Sequence, residues 1–307
     1  MPLDVGIVGL PGAGKTTLFT ALTGVSSPPY GQEHVGIAPI PDERLEPIAE
    51  VESSAKTTPA TIRLVDPPGL SAPVLGELRK ADALLAVLWA FGSEADPAHD
   101  LETIELELVV ADRDHVEKRL ERVRSQAKSG DPRLREEVAE LERVLVHVEA
   151  GDSLRTYENP LPPALDPLTT KPLIQVVNGG DGGFDLKLEA ELADLSPGDA
   201  AEFRDGPSGF ENVLSNLFET VGLLTFFTGG DKETRAWTLR QGSSALDAAA
   251  AIHSDIARGF IRCEVIGWRD LVEAGSRAEA ARRGQQRLEG KDYVVADGDI
   301  LNIRFNV

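Results

Sequence analysis

The chain has 307 residues, a formal net charge of −20 and one cysteine, Cys263. That length exceeds one small domain, and a lone thiol excludes an internal disulfide and fits a reducing compartment. So acidic a molecule is repelled by nucleic-acid phosphates at long range, which excludes broad, non-specific binding to them. Asp4 and Gly6 break the first apolar run and Asp82 the longest, Ala81 to Phe91, so no leader or membrane span is predicted and a cytoplasmic location is expected.

Taken in chain order, Asp4 to Leu10 predicts a buried parallel strand, and Lys15 to Leu22 a helix closed near Gly24. Ala60 to Val65 is β-branched and runs into the turn Asp66-Pro67-Pro68-Gly69, while Ala83 to Ala90 and Pro172 to Val177 read as further buried strands. Strands separated by helical stretches imply an α/β fold with a mostly parallel sheet and ligand chemistry at the strands' carboxyl ends. Residues 101–150 are charged and periodic instead. Val116, Leu120, Val123 and Ala127 form one seam, and Leu134, Val138, Leu141, Leu145 and Val148 another, parted by Ser129-Gly130-Asp131-Pro132. This predicts an antiparallel coiled-coil hairpin inserted between sheet strands.

Asn159 to Pro172 is the proline-rich return from that arm, and a helical region follows Phe184 as far as about Val221. The tail from Leu223 to Val307 carries twelve basic and twelve acidic residues, so the excess negative charge lies in residues 1–222. The plain reading is solubility; the sharper one is a local basic face, with Arg277, Arg282, Arg283, Arg287 and Lys291 as candidates. The tail reads as a separate α+β domain ending in a hairpin, two alternating strands around Asp297-Gly298. The expected division is a nucleotide-binding domain over 1–98 and 156–222, the arm over 99–155 and the tail domain over 223–307.

The chemistry is concentrated in Gly9-Leu10-Pro11-Gly12-Ala13-Gly14-Lys15-Thr16, a G-x-x-x-x-G-K-T phosphate loop lying between a strand and a helix. Glycines there let backbone N–H groups point inward, so Pro11, Gly12, Ala13, Gly14, Lys15, Thr16 and Thr17 are expected to enclose nucleotide phosphates. Lys15 reaches the outer phosphates and the Thr16 hydroxyl ligates Mg2+. Asp66-Pro67-Pro68-Gly69 fits the second motif of nucleotide switches, with Asp66 holding Mg2+ through water and Gly69 sensing the outer phosphate. The plain alternative is a turn. Leu70 stands where many GTPases carry a water-orienting glutamine, a task leucine cannot perform. Asn178-Gly179-Gly180-Asp181 ends a strand where such proteins read the base; guanine readers show Asn-Lys-x-Asp, and here Gly179 replaces the lysine. A turn is again the plain alternative, and base preference does not follow.

These motifs in order resemble the YchF-type Obg-like ATPases. Similar stretches include Ile7-Val8-Gly9-Leu10-Pro11, Thr17-Leu18-Phe19, Pro39-Ile40-Pro41-Asp42-Glu43-Arg44-Leu45 and Leu188-Glu189-Ala190-Glu191-Leu192. The tail is the most specific part, with Thr225-Phe226-Phe227-Thr228-Gly229, Arg235-Ala236-Trp237-Thr238, Gly259-Phe260-Ile261-Arg262, Leu288-Glu289-Gly290-Lys291-Asp292-Tyr293 and Arg304-Phe305-Asn306-Val307. The resemblance implies a Ras-like P-loop G domain, a helical-hairpin insertion and a C-terminal TGS domain with a β-grasp core. It implies ATP favoured over GTP, Mg2+, weak intrinsic hydrolysis and association with the ribosome. In that family the residue after the asparagine contacts adenine through its backbone, so those roles would fall on Asn178, Gly179 and Asp181, and Leu70 matches the family's hydrophobic replacement of the glutamine.

Departures cluster at the same site. Between Tyr30 and Val35 stand only Gly-Gln-Glu-His, where the family carries a longer switch with a metal-binding threonine. The segments after Leu70 and after Asn178 are also short, and the family's catalytic histidine has no counterpart, His99 being out of position. Orientation and charge stabilisation supply nearly all of phosphoryl-transfer catalysis, so binding with slow or absent hydrolysis is expected. Two other readings are a small-molecule kinase, for which the arm and tail supply neither acceptor pocket nor arginine-bearing lid, and a binding module whose nucleotide site is only structural.

Overall fold

A computed structural model describes residues 3–25, 32–128, 130–162, 165–180, 183–193, 195, 199, 202–203 and 209–306. Two compact units divide the chain: Asp4–Gly36 with Arg63–Gly209, and Met1–Leu3 with Ile37–Ile62 and Phe210–Val307. The division falls inside strands β2 (His34–Ile40) and β4 (Ala60–Asp66).

The first sheet has the order β2-β4-β1-β5-β6, with β1 at Leu3–Gly9, β5 at Ala83–Trp89 and β6 at Leu173–Asn178. Parallel registers run from Val5↔Ala83 to Gly9↔Val87 and from Leu84↔Leu173 to Trp89↔Asn178. Their carboxyl ends, Gly9, Asp66 and Asn178, are the points at which all three sequence motifs begin. A strand covered on both faces has no polar side, which is why β5 reads as an unbroken apolar run. Strand β2 was not foreseen. It holds Gly36 and Pro39, residues that argue against an interior strand, but it lies at the sheet's edge, where proline costs no ladder bond.

Helix α1 (Lys15–Thr23) leaves the phosphate loop and ends on the left-handed Gly24. Helix α2 is Leu45–Glu52 and α3 is Ala72–Glu77. The expected arm is present as α4 (Pro97–Ala127) and α5 (Pro132–Glu149), each begun by an aspartate cap, Asp96 and Asp131, with proline in the first turn. Val116, Leu120 and Val123 pack with Leu141, Val144 and Val148, and burying each such aliphatic side chain contributes about 1.5–3 kcal/mol. The first half of α4 has a different partner: Ile104, Leu108 and Ala111 share a core with Leu75, Leu78, Leu84 and Ala86. One continuous helix therefore begins in the core of the first sheet and ends as the arm.

The second sheet has the order β10-β9-β11-β7-β8-β3, comprising β3 (Thr57–Thr58), β7 (Leu223–Thr228), β8 (Thr234–Arg240), β9 (Phe260–Gly267), β10 (Arg287–Glu289) and β11 (Asp299–Phe305). Helices α6 (Leu186–Leu192), α7 (Gly209–Val221), α8 (Ala245–Ile252), α9 (Ser254–Arg258), α10 (Trp268–Ala274) and α11 (Arg277–Arg282) follow along the chain. Leu224, Phe226, Ala245, Ala248, Cys263, Val265, Val295 and Leu301 form the core of this sheet.

The terminal hairpin expected around Asp297-Gly298 is absent. Strand β11 pairs antiparallel with β9 from Asp299↔Gly267 to Phe305↔Phe260 and parallel with β7 at Ile300↔Phe227. With both edges of β11 taken, the preceding run has only an isolated bridge, Ser244↔Val294. The Asp297 carboxylate accepts from the Thr225 N–H at 2.9 Å and the Gly298 N–H donates to the Thr225 carbonyl at 2.8 Å, so the turn is tied to β7 instead.

Candidate nucleotide-binding site

The loop between β1 and α1 takes its shape from two left-handed glycines, Gly12 at φ 84° and Gly14 at φ 104°. Gly14 is needed on a second count, because an added Cβ would lie 2.6 Å from Asn178 Nδ2. Pro11, Gly12 and Thr16 are exposed while Ala13 is buried, so the loop is anchored from beneath and open above. Lys15 Nζ donates to the carbonyls of Gly9 at 2.9 Å and Leu10 at 3.1 Å, which folds the ammonium back over the loop. Burial pushes that ammonium below its ordinary pKa, and the Asp66 carboxylate opposes the shift. Phosphate oxygens arriving there would favour the charged form further.

Asp66, at the end of β4, is 2 % exposed. Its Oδ2 accepts from the Thr16 hydroxyl at 2.9 Å, so residues fifty positions apart meet as their motifs require. The same oxygen lies 3.3 Å from His34 Nδ1, on a side chain only 10 % exposed. Asp66 Oδ1 is buried with no hydrogen-bond partner among the described residues. A buried carboxylate oxygen left unsatisfied is costly unless a cation or its water shell completes it. Thr16 gives its proton to Asp66 and keeps its lone pairs, so this pair fits Mg2+. Along the sequence His34 stands out only as the last residue of the short segment before Val35, because the edge strand that it opens has no local signal.

The other expected residues fare unequally. Gly69 is partly exposed, and Leu70 packs against the core cluster of Val8, Val65 and Leu75, away from any role with water. Asn178 Nδ2 donates to the Ala13 carbonyl at 2.9 Å, which makes it a brace for the phosphate loop. The Gly179 N–H, a candidate for the base, donates instead to the Phe184 carbonyl at 2.7 Å. Asp181 lies outside the described residues, as do positions 26–31 of the first short segment. Thr17, in the first turn of α1, is partly buried.

The tail arginines named as a basic face are largely neutralised. Arg277 pairs with Glu52 at 2.7 Å, Arg282 and Arg283 both pair with Glu279 at 2.7 Å, and Arg287 lies 3.7 Å from Asp299. The two guanidiniums hold the Glu279 carboxyl down to about 2, well below the usual carboxylate range. No described helix is long and apolar enough to cross a membrane.

Two family models match the chain. One, the C-terminal model of the YchF-type GTPases, described as "Protein of unknown function (DUF933)", covers residues 223–306. The other, described as "50S ribosome-binding GTPase", covers residues 4–143. The chain is 34% identical over 369 aligned positions to the ribosome-binding ATPase YchF of Haemophilus ducreyi, covering all of both chains. It is 34% identical over 366 positions to the protein of that name from Bacillus subtilis, again in full. An alignment longer than 307 residues means that these relatives carry segments this chain lacks. Among solved structures, the YchF GTPase of Schizosaccharomyces pombe shares the fold with a TM-score of 0.80 and 24% identity, covering 98% of this chain and 97% of that one.

Proposed function

The chain belongs to the YchF family, and from that premise we propose that it binds a purine nucleotide with Mg2+ at the loop Pro11–Thr17 and acts with the ribosome in the cytoplasm. The observation that carries the reading is the meeting of Thr16 with Asp66 beneath an open glycine-shaped loop. ATP is the favoured nucleotide, after the curated relatives named ribosome-binding ATPases, and GTP is the alternative, after the GTPase model that matches residues 4–143. Thr16 ligates the cation and Asp66 holds it through water; bound there, Mg2+ supplies charge neutralisation at the outer phosphates. Gly69 follows the outer phosphate, and Asn178, Gly179 and Asp181 border the base. Residues 1–98 and 156–222 carry this work, 99–155 supply the arm beyond the turns of α4 at Ile104, Leu108 and Ala111 that share the sheet's core, and 223–307 form the TGS-like domain.

Hydrolysis is slow. Leu70 packs against the core and cannot orient water. The test is titration of ATP, GTP, ADP and GDP against wild type and Lys15→Ala, with turnover measured on the same samples. Binding lost with Lys15 and turnover well under about 1 s⁻¹, the low end for kinases, is the expected result. Absence of nucleotide affinity in the wild type would leave only a structural module, and fast turnover would overturn the hydrolysis reading. Cosedimentation with ribosomes tests the partner.

A further inference from the structure

We propose that the tail domain carries a second binding site, at the edge of β8, which captures the free carboxyl end of an extended peptide. Its chemistry is independent of the nucleotide. It is built from Arg235-Ala236-Trp237-Thr238 and from the end of β3. Strand β3 pairs with β8 only at Thr57↔Thr234 and Thr58↔Arg235, and Pro59 follows, with no N–H to continue the ladder. The Thr234 N–H donates to the Lys56 carbonyl at 2.9 Å, so the backbone groups of every second residue from Thr234 face that edge. The Ala236 carbonyl and both backbone groups of Thr238 therefore open onto the lane that β3 has left. A cavity of about 220 Å3 lies there, walled by Pro59, Ala60, Thr61 and Ala251.

Arg235 supplies the charge. Glu233, two residues back on the same face of the strand, feels that charge, but its carboxylate accepts from the Thr58 hydroxyl and pairs with Lys56 at 3.6 Å. The Arg235 guanidinium lies instead 4.2 Å over the Trp237 ring, and its Nε is buried without a hydrogen-bond partner among the described residues. Trp237 is itself fixed. Its ring stacks with that of Phe226 at 6.4 Å and 14°, and its indole N–H donates to the Thr228 hydroxyl at 3.0 Å. The guanidinium is thereby held in place before any ligand arrives, with donors unspent.

The groups at this edge select the ligand. A carboxylate meets a guanidinium fork with two parallel bonds, and a peptide backbone continues the vacated lane by donating to the Ala236 carbonyl and pairing with Thr238. A chain terminus brings both groups within one residue. Running antiparallel to β8, it places its last residue where β3 leaves off and its last side chain in a cavity walled by small residues. A phosphate would meet the arginine but also the Ala236 carbonyl, whose oxygen repels it.

The experiment uses the full chain and a synthetic library of short peptides randomised over their last few residues, made once with free carboxyl ends and once amidated. Binders should come from the free-acid half and end in a small apolar residue. Fluorescence anisotropy on the best of them should show the amidated form bound about tenfold more weakly. Arg235→Gln should lower affinity for the acid by a similar factor and erase the difference between acid and amide, which a loss of packing alone would not do. Ala251→Leu fills the cavity from a half-buried position on α8 and should also block binding, so the answer survives if the Arg235 variant fails to fold. Equal binding of acid and amide, or no binder from either half, would overturn the proposal. So would Arg235-dependent capture of a terminally phosphorylated oligonucleotide in place of the peptides, which would make the site a phosphate receptor.

Discussion

Asn178 and Gly14 are fitted to each other: the asparagine amide donates to the Ala13 carbonyl at 2.9 Å, and there is no room for a Cβ at Gly14 within 2.6 Å of that amide nitrogen. The end of β6 thereby sets the curvature of the phosphate loop. Asn178→Ala should weaken ADP affinity about tenfold, the loss of one hydrogen bond to a loop that must hold its shape without ligand. Gly14→Ala combines a clash with a left-handed φ and should weaken it more, by ~1–3 kcal/mol of strain. Isothermal titration of both variants decides the order; equal affinity for wild type and Asn178→Ala would show that the brace is idle.

Asp112 is the internal anchor of the long helix α4. It is 1 % exposed and accepts from Arg79 Nη1 at 2.6 Å, the N–H groups of Leu168 and Thr169 at 2.9 Å, and the Thr169 hydroxyl at 2.8 Å. Asp112→Ala leaves Arg79 charged and three donors unpaired, and should cost about 3–5 kcal/mol. The urea midpoint reads this directly. A loss below about 1 kcal/mol would mean that water replaces the carboxylate freely.

Alkaline stability should report on Cys263 and Tyr293. Burial and the nearby Asp299 push the Cys263 thiol up to about 12, and burial with the hydrogen bond to Asp299 pushes the Tyr293 phenol up to about 12. The folded protein then holds protons that the unfolded chain releases above about 8.5 for thiol and about 10 for phenol. Stability is therefore full below those values and falls as pH rises toward 12. Cys263→Ala should flatten the first part of the fall in denaturant midpoints taken from pH 8 to 10. An unchanged slope would place the thiol's titration elsewhere. The same burial predicts that native Cys263 resists alkylation until the protein unfolds.

Because Arg282 and Arg283 share Glu279, they contribute little to any RNA contact. Exchanging both for Gln should change the salt slope of ribosome cosedimentation by less than about 1, whereas two free phosphate contacts would remove roughly 2. Glu279→Gln releases both arginines and should steepen that slope. A steep slope in the wild type that collapses in the double variant would show that the pairs open on binding.

What was legible and what was not separates by the range of the interactions involved. The phosphate loop, α1, the apolar strands β1, β4 and β5 and both helices of the arm follow from local rules: glycines where φ must be positive, caps and prolines at helix starts, and periodicity along each segment. Those rules act within a few residues, so the chain alone determined that it would present a phosphate cradle and a helical arm. Partners distant in sequence were decided only by the tertiary structure. The edge position that excuses Pro39 in β2, the neighbours that claim both sides of β11 and dissolve the expected hairpin, and the meeting of Thr16 and His34 at one oxygen of Asp66 all depend on which surfaces meet after the core closes. Pairing energy between remote residues leaves no periodic trace along the chain, and that is why this acidic protein's loop could be read in advance while the surroundings that tune it could not.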